Sequence, residues 1–332
     1  MIDQITPEKT ERLIDLIGNA PSVAIAGHVH PDGDAVGCVT ALALYIRQRF
    51  GKEVTCMFPD AVPDNIRFVM SPSLRYLTGK AEDSGLVILM DCNAFSRTDV
   101  LSPVLSASKA PKVLIDHHLN PDSGSFNLVF STPEISSASE LTFWLLKAMG
   151  WDLSNKEIGE ALLAGMTTDT NNFANSVYPT TFQMASELIA AGVNRDSVLQ
   201  KIYFSYRENR VRLMGYMQSQ NLTILPEGAA YMILTREIQE RFNLQEGESE
   251  GLVNVPLAIK DVKISLLLKE AEDHFRVSLR SKKGTSAQNC AAKFFHGGGH
   301  ENASGGKLFP EKDLGSLSLR EYVEKALLDA LK

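Results

Sequence analysis

The chain has 332 residues, 44% of them hydrophobic and 22% charged, with a formal net charge of −7. These proportions belong to ordinary globular proteins, and the length favours two domains over one core. Negative net charge excludes capture of long nucleic acid by a global basic field. No apolar run approaches the ~20 residues needed to span a bilayer.

The first 20 residues lack a basic segment followed by an apolar core, and instead read as an amphipathic helix with Leu13, Ile14 and Ile17 on one face. The expectation is a soluble, cytoplasmic protein. The four cysteines, Cys38, Cys56, Cys92 and Cys290, form no C-x-x-C pair and read as buried, reduced thiols.

Val23–Ala26 reads as a buried strand. A polar loop follows, Gly27-His28-Val29-His30-Pro31-Asp32-Gly33-Asp34-Ala35, and then a helix over residues 36–50. Residues 54–58, 86–90 and 113–115 read as further strands. Continuous apolar runs of this kind are typical of parallel strands covered on both faces. The second of these runs stops at Asp91 and the third at Asp116-His117-His118. Helices are expected over residues 139–149, 156–167 and 180–191, and the middle one delivers Asp169. Residues 196–220 are long, charged and helix-like, and read as a link between domains. Beyond it come a strand (229–235), a helical segment (236–242), a hairpin (263–268 with 275–279) and a helix (286–295) that leads into His296-Gly297-Gly298-Gly299-His300.

His28, Asp32 and Asp34 fit the pattern H-x-x-x-D-x-D. Asp91, Asp116, His117 and Asp169 are carboxylates and imidazoles at the ends of other elements. Ligands of open α/β sheets sit beyond the carboxyl ends of the strands, so these residues should converge. Mixed imidazole and carboxylate donors suit Mn2+, Mg2+, Fe2+ or Zn2+. Asp32, Asp34, Asp91 and Asp169 together carry −4, which two divalent cations would balance. For a single residue such as Asp32 or Asp34, a cap or turn remains the alternative, because Asp-Gly is a turn signal.

Four segments, GHVHPDGDA, LVILMD, LIDHH and GMTTDT, resemble in order the motifs of the DHH phosphoesterase superfamily. The resemblance implies an α/β fold: a mainly parallel N-terminal sheet flanked by helices (1–194), a helical linker (195–221) and a smaller C-terminal α/β domain with a mixed sheet (222–332). It implies two divalent cations, with Mn2+ preferred. His28, Asp32 and Asp91 would hold one, and Asp34, Asp91, His117 and Asp169 the other, with Asp91 as the bridge. Asp116 would orient an imidazole, as carboxylates beside metal sites commonly do. His118 would face the substrate phosphate, and His30 would lie beside the metals or on the substrate side. Water activated by the cations would attack phosphorus in line.

The C-terminal half resembles the DHH-associated domain through Gly297, Gly298, Gly299 and His300, and through Ser278-Leu279-Arg280-Ser281. The resemblance implies substrate contacts from these glycines, His300, Arg280 and Ser281. Consecutive glycine amides can cradle a phosphate, and arginine binds phosphate bidentately.

The glycine run argues against a family II pyrophosphatase. The chain is too short for the extra domains of RecJ-type nucleases or membrane-tethered cyclic-dinucleotide enzymes. The expected activity is that of the small two-domain type: hydrolysis of very short RNAs and linear dinucleotides to mononucleotides, and of pAp to AMP and phosphate. A cyclic-di-AMP phosphodiesterase is the nearest alternative, and a nucleotide-binding regulatory protein is the non-enzyme alternative. No long nucleic acid and no membrane is expected as partner, and a homodimer is the assembly considered.

Overall fold

Strands 23–26, 86–90 and 113–115 lie side by side at the centre of a six-stranded parallel sheet in the computed structural model. The structure describes residues 2–332. They fall into two units, one ending at Ser205 and the other beginning at Tyr206.

The first unit runs α1 (Pro7–Asn19), β1 (Ser22–Ala26), α2 (Gly33–Phe50), β2 (Glu53–Phe58), β3 (Arg75–Thr78), β4 (Leu86–Met90), α3 (Ser102–Ala107), β5 (Lys112–Asp116) and β6 (Leu128–Ser131). Four helices close it: α4 (Ala138–Ala148), α5 (Lys156–Asp169), α6 (Pro179–Ala190) and α7 (Arg195–Tyr203). Polar residues start these helices. Thr6 caps α1 ahead of Pro7, Asp32 caps α2, Ser137 caps α4 and Asn155 caps α5, each accepting amides that the helix leaves unpaired. Gly51, in the left-handed region at φ 63°, ends α2.

The strand order is β3-β2-β1-β4-β5-β6, with every neighbouring pair parallel. The chain leaves β1 toward β2 and β3, then returns to β4 on the other side. The loops after β1 and β4 therefore diverge, and the crevice between them is where open α/β sheets bind ligands. Alternation within the strands explains their uniformly apolar sequence. Val23 and Ile25 face one buried cluster with Leu42, Phe143 and Leu162, while Ala24 and Ala26 face the opposite one with Phe95, Leu101 and Leu105. In α2, every residue from Gly33 to Ile46 is buried, so it is a central helix and not an amphipathic cover.

The second unit runs α8 (Glu208–Gln220), β7 (Leu222–Leu225), β8 (Ala229–Leu234), α9 (Arg236–Arg241), β9 (Ile264–Glu270), β10 (Phe275–Ser281), α10 (Ala287–Phe294), β11 (Gly298–His300), β12 (Ala303–Leu308), α11 (Pro310–Asp313) and α12 (Leu319–Ala330). Its six strands are ordered β11-β12-β10-β9-β8-β7. Only β8 and β9 pair in parallel, so the sheet is mixed. Apolar residues of α10 and α12 cover one face around Tyr231, Leu266 and Leu279. Leu213 and Met217 of α8, Ile238 of α9, and Leu252 and Val253 cover the other around Met232, Leu234 and Leu267.

Two expectations change. The helical stretch 196–220 is two helices, α7 and α8, interrupted at residues 204–207. Arg207, at the start of α8, is drawn away by a bidentate pair to Glu248, with Nε–Oε1 and Nη2–Oε2 both 2.7 Å, and by Nη2 donating to the Asn243 carbonyl. The glycine run, to which the sequence assigns no element, is partly strand: residues 298–300 pair with β12.

Candidate metal centre

The loop between β1 and α2 carries His28 and Asp32 and the first turn of α2 carries Asp34, and local bonding fixes each of them. Nδ1 of His28 lies 2.7 Å from the Val29 carbonyl. A carbonyl only accepts, so Nδ1 carries the proton and Nε2 is the inward-facing atom. That Nε2 lies 3.8 Å from Asp32 Oδ1 and 3.4 Å from Asp91 Oδ2. Asp32 is the α2 cap, and its Oδ1 accepts from the amides of Asp34 and Ala35 at 3.0 Å each. The cap alternative for Asp32 is thus true, and it also holds the carboxylate still beside His28.

Asp34, in the first turn of α2, is 1% exposed. Its Oδ2 accepts from the Ala138 amide at 2.7 Å and its Oδ1 from the Ser139 amide at 2.8 Å. Both amides belong to the N-terminal turn of α4, which favours an anion. Gly165 of α5 makes this fit possible: a Cβ there would lie 2.0 Å from Ser139 Oγ and 3.0 Å from Asp34 Oδ1.

Asp91 follows β4 with φ at 54°, in the left-handed region that few residues other than glycine adopt. It is 2% exposed, and its Oδ1 has no well-aligned hydrogen-bond donor. Nε2 of His117, beyond β5, lies 3.3 Å from that Oδ1, 3.7 Å from Asp169 Oδ2 and 3.9 Å from Asp34 Oδ2. Asp169 is the last residue of α5. The ligand atoms therefore gather as two neighbouring groups, His28/Asp32/Asp91 and Asp34/His117/Asp169.

Asp116, fully buried, takes the His118 side chain at 2.8 Å (Oδ1–Nδ1) and the His118 amide at 3.1 Å through Oδ2. His118 Nδ1 is also 3.8 Å from Asp91 Oδ1. His30 belongs to neither ligand group. Its amide and Nδ1 both meet Asp60 Oδ2, at 2.7 and 3.1 Å, with the side chain half exposed.

Electrostatics follow from crowding carboxylates in a buried place. Burial pulls the His28 imidazole down, but the hydrogen bond to Asp91 and the charges of Asp32 and Asp91 outweigh it and push it up to about 9. His117 likewise rises against burial, through Asp91, Asp169 and Asp34. Burial, then the charges of Asp91 and Asp169, lift Asp34 well above the usual carboxylate range. Asp91 falls below that range: burial opposes this, but the adjacent His117 and His28 imidazoles prevail. Burial also raises the thiols of Cys38 and Cys92, which therefore stay neutral packing groups.

In the second unit, Arg280 lies on β10 and its Nη1 donates to the Leu279 carbonyl at 2.9 Å. The Ser281 hydroxyl donates to the Thr285 carbonyl at 2.6 Å and accepts from Asn302 Nδ2 at 2.9 Å, holding the turn after β10. Gly297 is demanded by the hairpin itself, since a Cβ would lie 1.9 Å from the Gly305 carbonyl oxygen. Gly298 has open space around its Cβ direction, and Gly299 takes φ 145° against Ala303 and Ser304. The His300 carbonyl accepts from Ser304 Oγ at 2.8 Å.

Residues 22–166 match the DHH family N-terminal domain, and residues 229–323 match the DHHA1 domain. The bifunctional oligoribonuclease and PAP phosphatase NrnA of Thermus thermophilus is 31% identical over 294 residues, covering 86% of this chain and 84% of that protein. The chain belongs to the DHH family. The NrnA protein of Bacillus subtilis, with the same description, is 29% identical over 309 residues, 91% of this chain and 93% of its own. A solved exopolyphosphatase-related protein from Bacteroides fragilis, also similar to this DHH chain, is 34% identical, with a TM-score of 0.87 over 98% of this chain and 96% of the other.

DHH phosphoesterases are metal-dependent, and the donor set of this DHH chain fits divalent cations. Asp91 Oδ1 is buried with no well-aligned donor and faces His117 Nε2 at 3.3 Å, a geometry that suits a cation between the two atoms. His28, His117 and Asp34 are all driven toward their protonated forms, so protons take the place that divalent charge would fill. The α4 amides that hold Asp34 went unrecognised in the sequence, as did Asp60 beside His30. Backbone donors carry no residue-type signature, and Ala138 lies 104 positions from Asp34.

Proposed function

We propose that this DHH phosphoesterase hydrolyses very short RNAs and linear dinucleotides to mononucleotides and removes phosphate from pAp, using two divalent cations, Mn2+ first among them. The observation that carries the reading is the pair of adjacent donor groups that share the Asp91 carboxylate: its Oδ2 lies 3.4 Å from His28 Nε2 and its Oδ1 3.3 Å from His117 Nε2. The substrate class is supported by the two NrnA relatives, similar over most of their length and described as oligoribonucleases and PAP phosphatases.

Cations bound there would lower the pKa of the attacking water and offset charge on the phosphoryl oxygens. His28, Asp32 and Asp91 are assigned to one ion, and Asp34, Asp91, His117 and Asp169 to the other. Asp116 keeps the proton of His118 on Nδ1, so Nε2 of His118 is the atom assigned to the substrate phosphate. Such a carboxylate–imidazole pair fixes tautomer and ring orientation. His30, tied to Asp60, is assigned to the substrate side.

The DHHA1 unit is assigned substrate binding through Arg280, Gly297, Gly298, Gly299 and His300. Ser281 is assigned there as well, chiefly to hold the strand end. Hydrogen bonds to charged groups are worth about 1.5–3 kcal/mol. Arg280→Ala is therefore expected to lower kcat/KM for pApA about tenfold or more, at 1.4 kcal/mol per tenfold, with Mn2+ content intact. Steady-state kinetics beside metal analysis checks this, and loss of metal would show that Arg280 is misassigned.

The reading as a whole is tested by supplying the purified chain and Mn2+ with pApA, a five-residue RNA, pAp and cyclic-di-AMP in parallel. AMP from pApA, and AMP plus phosphate from pAp, at rates above that on cyclic-di-AMP, are the expected products. Faster turnover of cyclic-di-AMP would move the chain to the cyclic-dinucleotide class, and no product from any substrate would refute an enzyme.

A further inference from the structure

A buried carboxylate that none of the assignments above uses lies in the same turn of α4 whose amides hold Asp34. Glu140 is the third residue of α4 and is fully buried, as are Ser136, Ser137 and Ser139 around it. Its Oε2 accepts from the Ser136 amide at 3.2 Å, from Ser136 Oγ at 2.5 Å and from Thr181 Oγ1 at 2.7 Å, while Oε1 meets Trp144 Nε1 at 3.4 Å. The Thr181 hydroxyl itself accepts from the Tyr178 amide at 3.0 Å, at the start of α6. The Glu140 amide donates to Ser137 Oγ at 3.0 Å.

The pattern is a capping box drawn one residue further back. An exposed glutamate or glutamine would cap the helix equally well, whereas burying a charge costs several kcal/mol unless its oxygens are met. What the buried version adds is rigidity. It ties the segment before α4, the first turn of α4 and the start of α6 to one point. The two amides inside that tied turn are those of Ala138 and Ser139, which hold both oxygens of Asp34.

We infer that Glu140 is a positioning residue for the metal centre: it holds the first turn of α4 so that the Ala138 and Ser139 amides aim the Asp34 carboxylate at its cation. The inference rests on the two-cation reading. Groups that orient metal ligands typically change metal affinity by about 10–100-fold when removed.

The test is titration of the metal-free full chain with Mn2+, followed by the magnetic resonance signal of the free ion. Wild type should bind two ions. Glu140→Ala should weaken one of them about tenfold or more and leave the other nearly unchanged. Glu140→Gln should bind both almost as wild type, because its amide oxygen can take the Ser136 and Thr181 bonds. Two unchanged affinities in Glu140→Ala, or equal loss in Glu140→Gln, overturn the inference while the two-cation reading stands. A wild type that binds no Mn2+ overturns both. If Glu140→Ala does not fold, Thr181→Val, which removes the hydroxyl that donates to Glu140 and accepts from the Tyr178 amide, decides: one weakened ion supports the positioning role and two unchanged ions overturn it.

Discussion

Asp91→Asn should abolish turnover while leaving the chain folded. Asparagine keeps the size of the side chain and tolerates the left-handed backbone that Asp91 adopts. What it removes is the carboxylate charge that both donor groups share. Cation stabilisation of a phosphoryl transition state is worth several kcal/mol, and about 4 kcal/mol corresponds to a thousandfold in rate. The expected result is a fall in kcat of about that size or more, with less than the wild-type complement of Mn2+ and an unaltered circular dichroism spectrum. Near-normal turnover would mean that Asp91 does not bridge.

Stripping divalent cations should lower thermal stability as well as stop the reaction. In the metal-free site, burial and neighbouring charge push Asp34 up, and the imidazoles of His28 and His117 are also held up, so the cluster balances its charge with protons. Cations that bind only the folded chain stabilise it by mass action, by about 2.7 kcal/mol at a hundredfold excess over Kd. For a unit of roughly 200 residues that amounts to about 5–10 °C in Tm. Calorimetry of the chelator-treated chain, with and without added Mn2+, reads this directly. An unmoved transition would show that the carboxylates do not rely on cations.

The sheet that positions these residues was legible because both of its faces are buried. Leu86–Met90 is apolar at every position since Leu86, Ile88 and Met90 pack into one cluster and Val87 and Leu89 into the other. The polar residues that end such runs are conspicuous by contrast, which is how Asp91 and Asp116-His117-His118 stood out. Strands with weaker burial did not stand out. Arg75–Thr78 is a half-exposed edge strand, and Ala303–Leu308 contains two glycines, which pattern as turn and not as strand.

Tertiary bonding was less legible. The break between α7 and α8 falls at Phe204-Ser205-Tyr206-Arg207, which contains neither proline nor glycine. The Arg207–Glu248 pair, 41 positions apart, draws the start of α8 away. The glycines at 297 and 299 suggested a ligand cradle, but much of their reason is the close approach of their own hairpin to Gly305 and Ala303. Glu140 gave no signal because a glutamate early in a helix is an ordinary cap. Only its complete burial and its three bonded segments set it apart.

Crystals of the full chain grown with Mn2+ and measured for anomalous scattering test the central claim most directly. Two-cation phosphoesterase sites hold their ions about 3.5–4 Å apart. The expected map has two peaks at that spacing, one among His28, Asp32 and Asp91 and one among Asp34, His117 and Asp169, with the Asp91 carboxylate between them. A single peak, or peaks away from these residues, would contradict the two-cation centre.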